Sequence, residues 1–162
     1  LTLGGLALQD GQPQLPAGAE PLESRRVFRT LLGERHNRIV TTLANERRAV
    51  AARWGVRNLP STDEWLDRFA GTMTGTMVRP MPKPNQADDL IRCATMGSLV
   101  PLQSAAQLAE LPVPATSAMI ELAHQSIGGD LLHAGRRLDN MGFVNIDLDS
   151  IRTQLDTMTV AT

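Results

Sequence analysis

Glycine and proline residues divide this sequence into short segments, and that division limits the fold more than any other feature. Within the segments, apolar residues recur every three or four positions, which is the spacing of one face of a helix. The clearest helical segment ends at Gly55 and carries Ile39, Val40, Leu43, Val50, Ala51 and Trp54. Further helices are expected over 22–32, 87–96, 101–108, 116–127 and from Asp147 onwards.

Strands are not expected anywhere in the chain. Aromatic residues form only 3% of it and tyrosine is absent, so few residues favour a sandwich of sheets. The sequence therefore predicts an all-α domain, and its 162 residues suit a single domain with its own core. The expected core residues are Phe28, Leu31, Val40, Leu43, Trp54, Trp65, Phe69, Leu99, Leu108, Ile120 and Leu132.

Several residues mark where helices should begin. Ser61-Thr-Asp-Glu64 has the order of a capping box, in which the Ser hydroxyl and the Glu carboxylate each accept from a backbone amide. Asp130 follows Gly128-Gly129, so we expect it to cap a helix after the glycine stop. Thr116 follows a proline-rich extended stretch and is predicted to cap the next helix. A turn is expected at Ser98-Leu-Val-Pro101, with Pro101 as the first residue of its helix.

Two stretches are predicted to be irregular. Residues 1–21 are rich in Gly, Pro and Gln, and residues 72–86 combine Met, Thr and Gly with three prolines. Prolines withhold amide donors, so 72–86 is expected to form a long loop or lid, and loops of that length often carry function. The sequence opens at Leu1 without a signal-peptide pattern, and we expect it to be a fragment of a longer chain.

Composition excludes several function classes. Sixteen basic and 17 acidic residues leave a net charge of −1, which does not favour nucleic acid as a partner. No apolar run reaches the roughly 18 residues of a membrane helix, so we expect no membrane partner. The single Cys93 rules out an intramolecular disulfide and a cysteine-rich metal cluster, and it is expected to be a small buried hydrophobe. We predict a soluble, cytoplasmic protein without a metal.

Four residues are candidates for a site. Asp89 and Arg92 follow the 72–86 loop, which brings Arg79 near them in sequence, and His36 could face the same opening. We consider His36 and Asp89 as catalytic groups, and Arg79 and Arg92 as cations for substrate carboxylates. The alternative for each of them is a solvated helix face, and Asp88 with Arg92 has the spacing of a helix ion pair. The other two histidines, nine positions apart across a glycine stop, do not match a metal-ligand pair: His124 and His133.

An ordered set of motifs resembles the C-terminal helical domain of the octopine/nopaline (opine) dehydrogenase family. The set starts with Leu43-Ala-Asn-Glu-Arg47 and Trp54-Gly-Val56, and it covers most of residues 25–143. The turn Gly97-Ser-Leu-Val-Pro101, the link Leu111-Pro-Val-Pro114 and the segment Gly135-Arg-Arg-Leu138 then follow in the family's order. The resemblance implies a multi-helix domain like the C-terminal domain of 6-phosphogluconate dehydrogenase.

The resemblance also implies an activity and its partners. Such an enzyme joins an amino acid to a 2-oxo acid, with NAD or NADP bound mainly by an N-terminal Rossmann domain, and it can form a homodimer. This chain has no strand–GxGxxG–helix unit, so it would be the substrate-binding half and inactive alone. The family's catalytic His would precede Leu1, Ala94 stands at its Asp position, and Asp89 stands where a substrate-binding Arg is expected. The rival hypothesis is a non-enzymatic all-α dimerisation or interaction module.

Overall fold

The computed structural model describes residues 34–56, 58–61, 64 and 84–153. Within these ranges the regular structure is helical and no strand is present, so the fold class is all-α, as predicted. The helices are α1 (Glu34–Arg53), α2 (Ala87–Ala94), α3 (Val100–Leu108), α4 (Pro114–Ile127) and α5 (Leu131–Ala134), and residues 148–153 are also helical. The predicted helix over 22–32, the loop residues 72–83 and the core candidates Phe28, Leu31, Trp65 and Phe69 lie outside the described residues.

The first described helix confirms the most strongly patterned segment of the sequence. α1 packs against α3 and α4 and ends two residues before Gly55. At this end a first apolar cluster forms from the buried Val50, Ala106 and Val113. Trp54 packs on that cluster, and its indole Nε1 donates to the carbonyl of Ala105 at 3.1 Å. The indole therefore fixes the end of α1 to α3 through both apolar contact and a hydrogen bond.

One continuous helical segment replaces the turn predicted at Ser98–Pro101. A 3-10 turn (Pro84–Gln86) leads into α2, and a π turn (Thr95–Leu99) joins α2 directly to α3. Pro101 has no amide hydrogen, and inside an α-helix its ring would clash with the carbonyl four residues back. In the wider turn, the Val100 amide donates to Thr95, five residues back. The predicted turn is therefore a π turn that keeps the helical segment continuous, while Pro101 lies in the first turn of α3, close to the predicted start.

The π turn leaves the Met96 carbonyl without a partner inside the helix, and this carbonyl binds the segment that follows α5. In an α-helix the Met96 carbonyl would accept from the amide of residue 100, but the Val100 amide donates to Thr95 instead. In a π turn it would accept from residue 101, which is a proline and has no amide hydrogen. Its partner is instead the Arg136 amide, at 3.1 Å. Gly135, the preceding residue, lies directly against the buried side chain of Val100. The π turn thus provides a docking point for the segment after α5.

The start of α4 is capped by a residue from another helix. α4 begins at Pro114, so the prediction that Thr116 caps it was wrong, and Thr116 lies in the first turn. Glu46 of α1 instead accepts hydrogen bonds from the amides of Ala115 at 2.7 Å and Thr116 at 2.8 Å. The hydroxyl of the buried Thr116 also donates to this carboxylate, at 2.6 Å. One carboxylate therefore satisfies free amides of α4 and joins α4 to α1.

The caps predicted at Ser61–Glu64 and at Asp130 are confirmed, and Asp147, predicted to begin the last helix, is also a cap. Ser61 N donates to Glu64 Oε2 at 2.7 Å and Glu64 N donates to Ser61 Oγ at 3.1 Å, which is a reciprocal capping box. Asp130 Oδ1 accepts from His133 N at 3.0 Å at the start of α5. Asp147 Oδ1 accepts from Ser150 N at 2.8 Å where the last described helix begins. Each of these caps depends on residues only three positions apart.

The core is built from smaller residues than the pattern predicts. Among the described members of the predicted core, only Ile120 is buried, while Val40, Leu43, Trp54, Leu99, Leu108 and Leu132 are half-buried. The largest fully buried apolar side chains are Ile91, Leu131, Ile151 and Val100, with several alanines between them. Close helix packing explains the difference, because small residues occupy the contact lines and the longer side chains lie at their edges. No helix in the described ranges combines the length and the hydropathy needed to cross a bilayer.

The aspartate caps at Asp130 and Asp147 make the free energy of unfolding depend on pH in the acid range. The pKa of Asp147 lies below its ordinary value, first because the Ser150 hydroxyl donates to it and next because the Ser150 amide does. A carboxyl with a lowered folded pKa stabilises the fold above its unfolded pKa, and this contribution is lost as pH falls through the folded pKa. We expect the urea concentration at the midpoint of unfolding to decrease as the pH is lowered below about 4. In Asp147→Asn, whose amide still caps, the fall should be smaller.

Urea titrations from neutral to acid pH will measure this effect. The control is Asp149→Asn, in the same helix, because the Asp149 carboxylate accepts from no backbone amide among the described residues. It removes only an exposed 3.6 Å ion pair with Arg152, which contributes little, so it should largely keep the acid dependence of the parent chain. Equal acid slopes in Asp147→Asn and the parent would contradict the prediction.

Candidate functional site

The structure places two of the four predicted site residues on one exposed helix surface. Asp89 and Arg92 are both exposed on α2. His36 belongs to the first turn of α1, but its side chain is not among the described parts, and Arg79 lies outside the described residues. The predicted ion pair between Asp88 and Arg92 is not formed. The cleft proposed from sequence therefore remains a prediction, and Arg92 has different neighbours.

Arg92 lies over the glycine turn that ends α4. Gly128 and Gly129 have φ angles of +68° and +82°, which favour residues without a side chain. A methyl group on Gly129 would lie 3.6 Å from Arg92 Nη1, whereas one on Gly128 would meet nothing within 4 Å. In the described part of the chain, the guanidinium of Arg92 makes no hydrogen bond or ion pair. Within the described ranges, a guanidinium without a hydrogen-bond partner therefore lies beside a turn that carries no side chains.

Two histidines and an aspartate surround the same turn. His124, in the last turn of α4, forms a short hydrogen bond through Nδ1 with the carbonyl of Gly129. His133 Nδ1 lies 2.6 Å from Asp130 Oδ2, and both of these side chains are largely exposed, at 71% and 62%. We call Arg92, His124, Asp130 and His133 the glycine-turn cluster.

An apolar layer beneath the cluster holds its three elements together. Ile91 of α2, Ala123 of α4 and Leu131 of α5 form a second apolar cluster and are buried to 0–1% exposure. Each is adjacent in sequence to a member of the glycine-turn cluster. Since protein interiors are closely packed, this layer fixes the backbones that carry the polar side chains. The site is therefore a polar surface on a rigid apolar base.

Electrostatics within the cluster favour an ionised aspartate. The pKa of Asp130 lies below its ordinary value, mainly because the His133 amide donates to its carboxylate and then because the His133 ring does. The charges of His133 and His124 lower it further. The contacts at Nδ1 leave Nε2 of both rings available to a ligand when the Nδ1 atoms carry their protons. The Arg92 guanidinium at the same turn is the group here that can bind an anion through charge-assisted hydrogen bonds.

Other chemistries find no support in the described residues. No group of three or more His, Cys, Asp or Glu residues there could hold a metal ion. The Gly128–Gly129 turn follows a helix rather than a strand, so these residues do not fit the pyrophosphate of a dinucleotide. Ala94, where the resemblance would place an Asp, is buried and has no side-chain proton donor. Cys93 is exposed, so the prediction that it is buried was wrong, because it lies beside Arg92 on the outer face of α2.

The sequence selected Arg92 as a site residue but considered His124 and His133 only as a metal-ligand pair across the glycine stop. In the structure His124 contacts the Gly129 carbonyl and His133 contacts Asp130, the residue that follows the turn. One feature of the sequence could have indicated these residues: an apolar residue that is buried stands next to a polar one at 91–92, 123–124 and 130–131.

Comparison with protein-family models and with curated proteins gives no match. The function must therefore be argued from the chain's own residues and from the order of its motifs.

Proposed function

We propose that this chain is the helical substrate-binding domain of an NAD(P)-dependent, opine-dehydrogenase-like oxidoreductase. The enzyme would condense an amino acid with a 2-oxo acid in the cytoplasm, and a separate nucleotide-binding domain would hold the cofactor. The observation that carries the proposal is the Arg92 guanidinium beside the Gly128–Gly129 turn, which has no hydrogen-bond or ion-pair partner among the described residues. Both substrates of this reaction carry carboxylates, which a guanidinium recognises through paired hydrogen bonds.

Three further features support the proposal. The all-α architecture agrees with the helical half that the motif order implies. The exposed positions of Asp89 and Arg92 leave both groups accessible to a substrate. The buried Ala94 removes the family's acidic partner from this chain, which favours a binding role here over a role in proton transfer.

The proposal predicts a specific kinetic effect of Arg92→Ala. In the complete gene product, the variant should weaken binding of the amino acid or the 2-oxo acid by about 1.5 to 3 kcal/mol, as expected for a lost hydrogen bond to a charged group. Affinity for NAD(P)H should not change, because Arg92 contacts only substrate in this scheme. Steady-state oxidation of NAD(P)H, measured with amino acid and 2-oxo acid varied separately, gives both quantities.

Arg53→Ala is the matched control, since Arg53 is an exposed arginine at the end of α1. It should leave the kinetics unchanged. If Arg92→Ala behaves like Arg53→Ala, Arg92 belongs to a solvated helix face. If the gene product oxidises no NAD(P)H with any such pair and instead self-associates stably, the rival dimerisation module is favoured. The exposed side chains of Leu122, Met141 and Val144 would then be the first to examine at the interface.

A further inference from the structure

Arg47 is a charged residue on the core-facing side of α1. It follows Leu43 by four positions and precedes Val50 by three, so the apolar stripe that ends at Trp54 contains a cation. The side chain is half-buried, and burial lowers its pKa, with the neighbouring charge of Arg48 as the second cause. No acidic residue in the described ranges forms an ion pair with it. The described surroundings of this guanidinium therefore lack a counter-charge.

The donor edge formed by Nε and Nη2 of Arg47 is only partly used. Nη2 donates to the Pro60 carbonyl at 3.3 Å, which is longer than the usual range of about 2.7 to 3.2 Å. Nε is buried and has no hydrogen-bond partner among the described residues. The adjacent Glu46 is not available to it, because that carboxylate accepts from Ala115 and Thr116. Buried donors are nearly always paired, so this nitrogen requires an explanation.

The segment that contacts Arg47 is joined to α1 by little hydrogen bonding. We call residues 58–61 the strap. Within the part of the chain that the structure describes, the bond from Arg47 to Pro60 is the one hydrogen bond between the strap and α1. Leu59 and Pro60 are half-buried, so apolar contact also holds the strap in place. Closing the strap forms one long hydrogen bond while the neighbouring donor stays unpaired.

We propose that the strap is a switch that opens to let a phosphate-type dianion bind to Arg47. Once Pro60 has left Nη2, the Nε–Nη2 edge presents two parallel donors, which is how arginine binds a phosphate group through paired hydrogen bonds. Arg48 forms a hydrogen bond with Asn45 at 3.0 Å and no ion pair in the described ranges, so it adds a second positive charge. A ligand that binds only the open form shifts the strap towards that form.

The energetics of the unpaired donor favour opening. In the open form water can pair with Nε, whereas in the closed form the donor is dry. The usual cost of an unpaired buried donor corresponds to about a five- to 150-fold shift towards the open form, relative to a strap with both donors paired. The strap is therefore expected to open locally, without unfolding of the helices that it contacts. This inference does not depend on the proposed function, because it concerns a different surface and a different ligand.

Hydrogen exchange of the Arg47 Nε–H, measured by NMR on the 162-residue chain, tests the opening. We expect its protection, corrected for intrinsic exchange rates, to exceed that of the exposed Arg53 Nε–H. It should be at least about tenfold below the protection of the Val50 amide, which is buried in the same helix. Protection equal to that of Val50 would overturn the proposal, since the strap would then open only with global unfolding. Protection equal to that of Arg53 would also overturn it, since the donor would not be buried.

A titration with inorganic phosphate at constant ionic strength tests the ligand. The Nε signal of Arg47 should shift with saturation while that of Arg53 does not, and acetate, with one charge, should bind more weakly. Equal shifts at the two arginines, or none at Arg47, would overturn the proposal. Methyl phosphate is the second probe: binding as tight as that of inorganic phosphate indicates a phosphoryl group on a larger molecule, and weaker binding indicates free phosphate.

Arg47→Lys separates a ligand site from a structural contact. Lysine keeps the positive charge and a donor for Pro60, but it lacks the paired donor edge. We expect this variant to bind phosphate at least about fivefold more weakly, whereas the matched Arg53→Lys should bind it as the parent chain does. Circular dichroism establishes that both variants are folded, and the phosphate titration of the parent chain needs no variant. Unchanged phosphate affinity in Arg47→Lys would leave Arg47 with a structural role alone and would overturn the proposal.

Discussion

Replacing Glu46 with alanine is expected to lower the free energy of unfolding by about 3 to 5 kcal/mol. The carboxylate accepts three hydrogen bonds at 2.6 to 2.8 Å, from two amides and one hydroxyl at the start of α4. The alanine variant leaves these donors without a partner at a half-buried position, and hydrogen bonds to charged groups are worth about 1.5 to 3 kcal/mol each. The three contributions are not additive, because the donors share one acceptor group.

Urea denaturation monitored by circular dichroism at neutral pH measures this change. Glu121→Ala is the control, because that carboxylate is exposed and hydrogen-bonded only to Gln125 among the described residues. It should change stability by less than about 0.5 kcal/mol. A second variant, Thr116→Val, removes the hydroxyl donor while keeping both amide contacts, so its effect should be smaller than that of Glu46→Ala. A loss below about 1 kcal/mol in Glu46→Ala would show that the cap contributes little.

Gly135→Ala should destabilise the chain by about 3 kcal/mol, at the upper end of the usual cost of overpacking. The added methyl group would lie 2.7 Å from Val100 Cγ1, 2.8 Å from Val100 Cβ and 2.9 Å from the Leu131 carbonyl oxygen. Carbon atoms in contact prefer about 3.5 to 4.0 Å. Val100 is fully buried and the other neighbour is backbone, so relief requires the segment after α5 to move away from the π turn.

Gly97→Ala is the matched control for this substitution. Gly97 is an exposed helical glycine with nothing within 4 Å of the added methyl group. Alanine there should stabilise the helix by a few tenths of a kcal/mol up to about 1 kcal/mol. The two variants make the same chemical change, and thermal unfolding should give opposite signs for them. If Gly135→Ala unfolds at the temperature of the parent chain, the contact with Val100 is not tight in solution.

Local signals in the sequence predicted the helices and their nearby caps, because those features depend on residues within one turn. The capping box at Ser61 and the cap at Asp130 are of this kind. The cap of α4 is not, because Glu46 is 70 positions away from Thr116 and nothing local distinguishes it from a solvated glutamate. The sequence therefore pointed to the local residue Thr116, whereas the cap comes from Glu46 on another helix.

The same limit applies to the candidate site. Arg92 could be selected because arginine near acidic residues is a local pattern. The Gly128–Gly129 turn beside it lies more than thirty residues later in the chain, and only tertiary packing brings the two together. The small buried residues were equally hard to select, since Ala106 and Ala123 become core residues only where two helices approach closely.

The π turn between α2 and α3 makes the number of residues there as constrained as their identity. A π turn is an α-helix with one residue inserted, and Pro101 is compatible with the helix because of that insertion. Deleting one residue from 95–99 would restore α geometry and rotate α2 by about 100° relative to α3. Ile91 would then leave the apolar layer and Arg92 would leave the glycine turn. Relatives of this chain should therefore tolerate a one-residue deletion here only together with loss of the proline and a rearranged surface on α2.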